Sequence, residues 1–377
     1  MAEMLGSLDL LVIQPTPFCN LDCSYCYLPN RRNKKRITAA LLDRIFAWVF
    51  ASEVVQGPFT VVWHAGEPLV LPPRFYAEAF ACIARHNRAH IPVVHSYQTN
   101  GMLIDQQWCD FIQQHGLRIG VSIDGPDFLN DLYRKTRRGN GTYQRVMEGI
   151  ARLQRNSIPF HVITVLTHEA LDYPDEMYAF YGENRIENVG FNIEEIEGPH
   201  ERSSLSAADA DQRFRGFMSR FFDLVAAGGY PLRVREFDST LAAILHGGTE
   251  VVPPMQETTP FAIISVDYAG NFSSFSPELL GLRSAHYGDF TLGNVQTDTL
   301  AAVTHSPRFT ALYADIGAGI QKCRQECSYF GFCGGGAPAN KYFENGSFAS
   351  TETLFCRLTR KALLDVVLEK VSRSKRP

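Results

Sequence analysis

The sequence predicts an α/β protein: a partial TIM-type (β/α)6 barrel, open on one side, over residues 1–235, followed by a smaller C-terminal domain over 236–377. Three observations carry this reading. Six short apolar runs each precede a longer helical pattern through the first two-thirds of the chain, the alternation that builds a parallel sheet covered by helices. The length of 377 residues exceeds one domain of about 150. Hydrophobic residues make up 45% and charged residues 20%, which excludes disordered and fibrous classes.

The expected strands are Leu8 to Pro15, Phe59 to Ala65, Val93 to Thr99, Arg118 to Ile123, Phe160 to Thr167 and Val189 to Glu194. Most are continuous apolar runs, as strands buried on both faces require. Helices are expected to begin near Thr38, Pro73, Asp105, Thr142, Tyr173 and Ser206, with Thr38 suited to an N-cap and Pro73 to a first turn. Eight such units close a barrel. Six leave a gap wide enough for a large substrate such as a peptide. After Leu232 the pattern changes to a helical segment from Phe237 to His246, an irregular stretch at Pro253-Pro254, and a β-like run from Phe261 to Tyr268. The tail is Gly-rich at Gly334-Gly335-Gly336 and ends in an amphipathic helix from about Thr359 to Val371.

Lys plus Arg number 36 against 40 Asp plus Glu, a net charge of −4, so no general attraction to nucleic acid or membrane is expected. The basic run Arg31 to Arg36 is a local docking candidate. No signal segment or membrane-spanning run is read, and the expected location is cytoplasmic. The nine cysteines are an odd number in such a chain, which argues against a disulfide framework. Three gather near the start, four near the end, and Cys82 and Cys109 read as buried core thiols.

Just past the first expected strand stands Cys19-Asn-Leu-Asp-Cys23-Ser-Tyr-Cys26. Three thiolates can hold three corners of a 4Fe-4S cube and leave the fourth iron open. A zinc loop is the competing reading, but zinc prefers paired C-x2-C elements and four ligands. The loop resembles that of the radical S-adenosylmethionine (SAM) enzymes, and further matches follow in the expected order. His64-Ala65-Gly66-Glu67-Pro68 resembles the element whose backbone receives the SAM ammonium. By the same resemblance, Gln98 and Asn100 stand where ribose and methionine contacts are made, and Ser122 with Arg134 where the SAM carboxylate is held. Each piece alone reads as a plain turn or a solvated charge; their joint occurrence and order carry the resemblance. It implies reductive cleavage of SAM and a 5′-deoxyadenosyl radical that abstracts an unactivated hydrogen.

Cys323, Cys327, Cys333 and Cys356 offer four thiolates, enough for a closed zinc site or a fully ligated cluster. Spacing does not decide between them. With Leu292-Gly293-Asn294-Val295 upstream, this stretch resembles the SPASM extension of radical SAM peptide maturases, which commonly carries two auxiliary clusters. No cysteine lies between Cys109 and Cys323, and Ala337 stands where a further cysteine is usual, so the resemblance implies that the first auxiliary cluster is lost. Two 4Fe-4S clusters in all are expected, the auxiliary one passing electrons.

Within that group, Ile13 to Cys23, Tyr27-Leu-Pro-Asn-Arg31, Phe275-Ser-Pro-Glu-Leu279 and the Gly334 to Cys356 tail resemble the GrrM/OscB family of cyclophane-forming enzymes. This implies a ribosomally made precursor peptide as substrate, a flavodoxin- or ferredoxin-type electron donor, and a new bond from a side-chain β-carbon to a nearby aromatic ring. Glu194 and Glu278 are the candidate bases for the ring proton, by position only. Sulfatase maturation to formylglycine is the alternative within the enzyme class, and a zinc-stabilised binding module is a distant one. With no separate N-terminal recognition domain read, leader binding is expected at the barrel rim, the second domain or another protein.

Overall fold

The computed structural model describes residues 6–246 and 255–374; the expected irregular stretch at Pro253-Pro254 lies outside them. The six expected strands form as β1 (Leu10–Ile13), β2 (Phe59–Trp63), β3 (Val93–Thr99), β4 (Arg118–Ser122), β5 (Phe160–Leu166) and β6 (Asn188–Ile193), each paired in parallel with the next. Two further parallel strands extend the sheet. Short β7 (Arg233–Val234) joins β6, and β8 (Ile263–Val266) joins β1 in the register Leu10 to Ile263. Among the described residues β7 and β8 do not pair, so the curved sheet stays open between them.

β9 (Asn271–Ser274) runs antiparallel to β8; β10 (Arg283–Ser284) and β11 (Gly288–Asp289) form a separate pair, and β12 (Gly293–Asn294) lies antiparallel on β9. The boundary expected at 235/236 therefore ends the six-unit repeat without breaking the sheet. β8 is buried at every position, which explains why the Phe261 to Tyr268 run reads as continuously apolar.

The covering helices are α1 (Ala39–Phe50), α2 (Pro73–His86), α3 (Gln106–His115), α4 (Asp127–Tyr133), α5 (Tyr143–Arg155), α6 (Pro174–Glu183), α7 (Ala210–Ala226) and α8 (Arg235–His246). Their starts follow capping chemistry. Thr38 Oγ1 accepts the Leu41 amide at 3.2 Å, Asp105 accepts that of Trp108 at 2.9 Å, and Pro73 opens α2. α7 begins later than the expected Ser206, because Ser203 caps a separate 3-10 turn over Ser204–Ser206. α4 has only seven residues, too few to show a periodic signal.

Beyond β12 come α9 (Leu300–Thr304), α10 (Pro307–Glu326), α11 (Phe330–Cys333), α12 (Pro338–Asn345) and α13 (Leu354–Cys356). A π-helical segment over Arg357–Ala362 joins α13 to α14 (Leu363–Ser374), so the helical run containing the expected Thr359 to Val371 helix begins earlier, at Leu354. It packs back on the barrel, where Lys370 pairs with Asp223 of α7 at 2.5 Å and Arg215 with Asp365 at 3.0 Å. Cys82 and Cys109 are core thiols on α2 and α3, 6% and 0% exposed. Among the described residues no helix is long and apolar enough to cross a membrane.

Candidate active site

The cysteine loop leaves the carboxyl end of β1; the Leu21 amide donates to Cys19 Sγ at 3.4 Å, and the other backbone contacts that hold the loop leave its thiols free. The Cys19 amide donates to the Arg31 carbonyl at 3.1 Å, the Asp22 amide to Lys135 at 2.8 Å and the Ser24 amide to Tyr133 at 3.1 Å. Arg137 donates to the carbonyls of Cys19, at 2.8 Å, and Arg31. Arg31, expected in a docking patch, instead donates to the Cys23 carbonyl at 3.0 Å and pairs with Asp22 at 3.1 Å. Burial pushes the Cys19 thiol up to about 12 and that of Cys23 up to about 11, with neighbouring thiols adding to both. Sulfurs in such a place ionise when a metal supplies the compensating charge. Among the described residues no three Cys, His, Asp or Glu side chains converge as ligands of a single ion.

The turn after β2 lies against this loop. Ala65 and Gly66 have φ of 64° and 125°, and a Cβ on Gly66 would meet the Thr16 carbonyl oxygen at 2.2 Å. Gly66→Ala is therefore expected to destabilise the fold by at least about 1–3 kcal/mol and to displace the loop; chemical denaturation checks the first and iron content the second.

Glu67 anchors this turn: its backbone amide donates to Phe18 at 2.9 Å, and its carboxylate accepts Thr99 Oγ1 at 2.6 Å and the amides of Leu69 and Asn100 at 3.0 and 2.8 Å. The side chain, 1% exposed, braces β2 against β3 and leaves the contact expected of this element to its backbone. Asn100 is likewise committed, donating to Asn20 Oδ1 at 2.7 Å with Cys19 Sγ 3.8 Å away. Gln98 and Ser122 are brought together on adjacent strands, Nε2 to Oγ 2.8 Å, half-buried.

Arg134 is paired within the protein. The carboxylate its guanidinium grips belongs to Asp124, with Nη2 and Nε each 3.0 Å from an oxygen, and both residues are buried. Asp124 also accepts the Tyr25 hydroxyl at 2.5 Å and the Val165 amide at 3.0 Å, so the pair fixes the aromatic between Cys23 and Cys26 from below. Breaking one side leaves an uncompensated buried charge. Asp124→Asn is expected to cost about 3–5 kcal/mol, read as a lowered denaturation midpoint, and the double variant Asp124→Leu/Arg134→Met to recover part of it.

A cavity of about 220 Å³ opens beside the loop, lined by Gln14, Tyr27, Asn33, Ala65, Tyr268 and Glu278 among others. The Tyr27 hydroxyl is buried and has no hydrogen-bond partner. Glu278 is half-buried and accepts the Ser276 hydroxyl; burial holds its carboxyl above the usual range. The other expected base does not face this space. Glu194 accepts the Ser204 amide at 2.7 Å and the Ser204 hydroxyl, bracing the 3-10 turn. Its neighbours Glu195 and Glu197 are the ones coupled to Glu278. Burial, then the Glu278 charge after a counteracting bond from Asn340, pushes Glu195 up to about 8; burial, with Glu278 next, also raises Glu197 well above the usual carboxylate range. Sequence reasoning passed over both, although Glu194-Glu195-Ile196-Glu197 directly follows β6, where functional loops of βα barrels lie.

The four C-terminal cysteines line a second cavity of about 190 Å³. Cys323 is in the last turn of α10 and Cys327 is its C-cap, so the C-x3-C spacing is one helical turn. Cys333 ends α11 and Cys356 ends α13. Lys341, 3% exposed, donates to Cys323 Sγ at 3.4 Å.

A model of the radical SAM superfamily matches residues 13–181. The Synechocystis sp. (strain PCC 6803) protein sll1766 is 45% identical over 367 residues, covering 96% of this chain and 92% of its own. A serine-type anaerobic sulfatase-maturating enzyme of Bacteroides thetaiotaomicron is 27% identical over 350 residues, 86% of this chain and 81% of that one. In fold, the chain is similar to native anSMEcpe with bound AdoMet and a Cp18Cys peptide (TM-score 0.79, 20% identity, 97% and 98% covered) and to Streptococcus suis SuiB bound to precursor peptide SuiA (TM-score 0.66, 16% identity, 94% and 77%). The open parallel sheet, the three-cysteine loop at its carboxyl edge and these likenesses agree: the chain belongs to the radical SAM superfamily, an enzyme group that works with S-adenosylmethionine and a 4Fe-4S cluster.

Proposed function

We propose that this protein is a peptide maturase that joins a side-chain β-carbon to an aromatic ring of a ribosomally made precursor, closing a three-residue cyclophane. One observation supports it most: a single cavity brings together Ala65 of the expected SAM element, Tyr27 at the exit of the cysteine loop, and Glu278 from the C-terminal part. A peptide bound there would have its reacting carbon near the radical source and a carboxylate on the other wall. The likeness to two folds solved with peptides agrees with a peptide substrate.

Cys19, Cys23 and Cys26 would hold the 4Fe-4S cluster, which with SAM would supply one-electron chemistry for hydrogen-atom removal. The chain's own residues do the rest. Ala65 and Gly66 would present backbone groups to the cofactor, and Gln98 and Ser122 would offer polar contacts on β3 and β4. Glu278 takes the ring proton. The four thiols of the second cavity would hold the auxiliary 4Fe-4S cluster with every corner filled, which suits electron transfer. A flavodoxin- or ferredoxin-type protein would supply the reducing electron.

The sulfatase maturases among the relatives favour a second reading, oxidation of a cysteine or serine to formylglycine. Anaerobic co-expression with the precursor peptide encoded beside this gene separates the two. A product lighter by two hydrogens, with fragmentation placing the loss on an aromatic residue and a neighbour two positions away, is the expected result. An unmodified precursor together with formylglycine in a co-expressed sulfatase would replace this reading with the second.

A further inference from the structure

We infer that Lys341 is the charge-compensating residue of the auxiliary cluster and holds its reduction potential up. The inference rests on the proposal that the four C-terminal cysteines carry a cluster. A lysine ammonium is rarely placed out of water without a carboxylate. Lys341 is 3% exposed, and among the described residues its only hydrogen-bond partner is Cys323 Sγ, at 3.4 Å. The groove that admits it is built for the purpose. Gly319 stands one helical turn before Cys323 on α10, and a Cβ there would meet Lys341 Nζ at 3.1 Å and the Phe348 carbonyl oxygen at 2.2 Å.

The other charges around this cavity behave differently. Lys361 lines it too and acts on Cys327 and Cys356, but its side chain is 24% exposed and shared with Glu352, and Glu326 is exposed to screening by solvent. Lys341 is thus the buried cation left to answer the negative charge of four thiolates. Net charge and hydrogen bonds to sulfur are what set the potential of a cluster. A fixed ammonium donating to one ligand sulfur favours the reduced, more negative state, which suits a centre that must accept an electron.

The test uses the full chain with Cys19, Cys23 and Cys26 replaced by Ala, so that one cluster remains, and follows its reduction potentiometrically by electron paramagnetic resonance. Lys341→Met is expected to keep the iron and move the midpoint to more negative potential. Lys341→Arg should return it toward the parent value, and Lys361→Met should move it much less. A Lys341→Met protein with full iron and an unmoved midpoint overturns the inference. If Met costs the cluster itself, Lys341→Arg decides: iron kept at the parent potential supports the need for a cation, and iron lost assigns Lys341 a packing role and overturns it. A parent chain without iron would instead sink the auxiliary-cluster reading, an outcome distinct from insensitivity to Lys341.

Discussion

Replacing Cys19, Cys23 and Cys26 together by Ala is expected to abolish SAM cleavage and to lower iron from about eight to about four per chain. The reasoning starts from what holds the loop. Its path is fixed by backbone bonds to Arg31, Lys135 and Tyr133, by the Arg137 guanidinium and by the Tyr25–Asp124 contact, none of which uses a sulfur. The variant should therefore fold, and the loss should be chemical. The Cys19 and Cys23 thiols sit where burial disfavours a free thiolate, so their natural partner is a metal centre rather than a solvent-exposed reagent. Iron and sulfide analysis with 5′-deoxyadenosine release checks both halves. Full iron, or continued cleavage of SAM, would refute the ligand assignment.

The fold was legible in the sequence where burial made the pattern one-sided. β1 and β4 read as apolar runs because most of their residues are buried, β2 and β5 bury alternate residues, and Thr38 and Asp105 mark their helices by the bonds they accept. What escaped was structure fixed by distant partners. The two residues of β7 join the sheet only because β6 offers a free edge, and α10 carries Gly317 and Gly319, which weaken its helical signal. The site divides in the same way. Cysteine spacing reports local chain geometry and is visible in one dimension. The roles of Glu67 and Arg134 depend on who stands opposite: Thr99 and Asn100 occupy the one, Asp124 the other. A carboxylate or guanidinium that looks available in sequence is satisfied inside the protein. The converse holds for Glu195 and Glu197, ordinary loop acids by sequence, which the fold presses toward Glu278.

That pressure leads to the second expectation. Glu278→Gln should reduce cross-linked product by about 10²–10⁴-fold while SAM cleavage continues, because the amide cannot accept the ring proton yet leaves the cysteine loop untouched. Product formed at the parent rate would remove Glu278 from the reaction. The pH dependence follows from the sign of the shift. Burial raises the Glu278 carboxyl above its usual range, so the base form fills only as pH climbs through that raised value, and product formation should rise with pH over a window above the ordinary carboxylate titration. Stability must move the other way. Between the unfolded and folded values the native state binds more protons than the unfolded one, so stability is fully present below the unfolded value and is lost as pH rises through the folded one. Glu278→Gln should then lose both the rising limb of activity and part of the stability decline in the same window. Glu195→Gln supplies the finer test. Burial and the Glu278 charge raise Glu195, so with Glu278 as the base, Glu195→Gln should leave cross-linking and its rising limb in place, whereas loss of product in Glu195→Gln with SAM cleavage intact would move the proton-accepting role to Glu195.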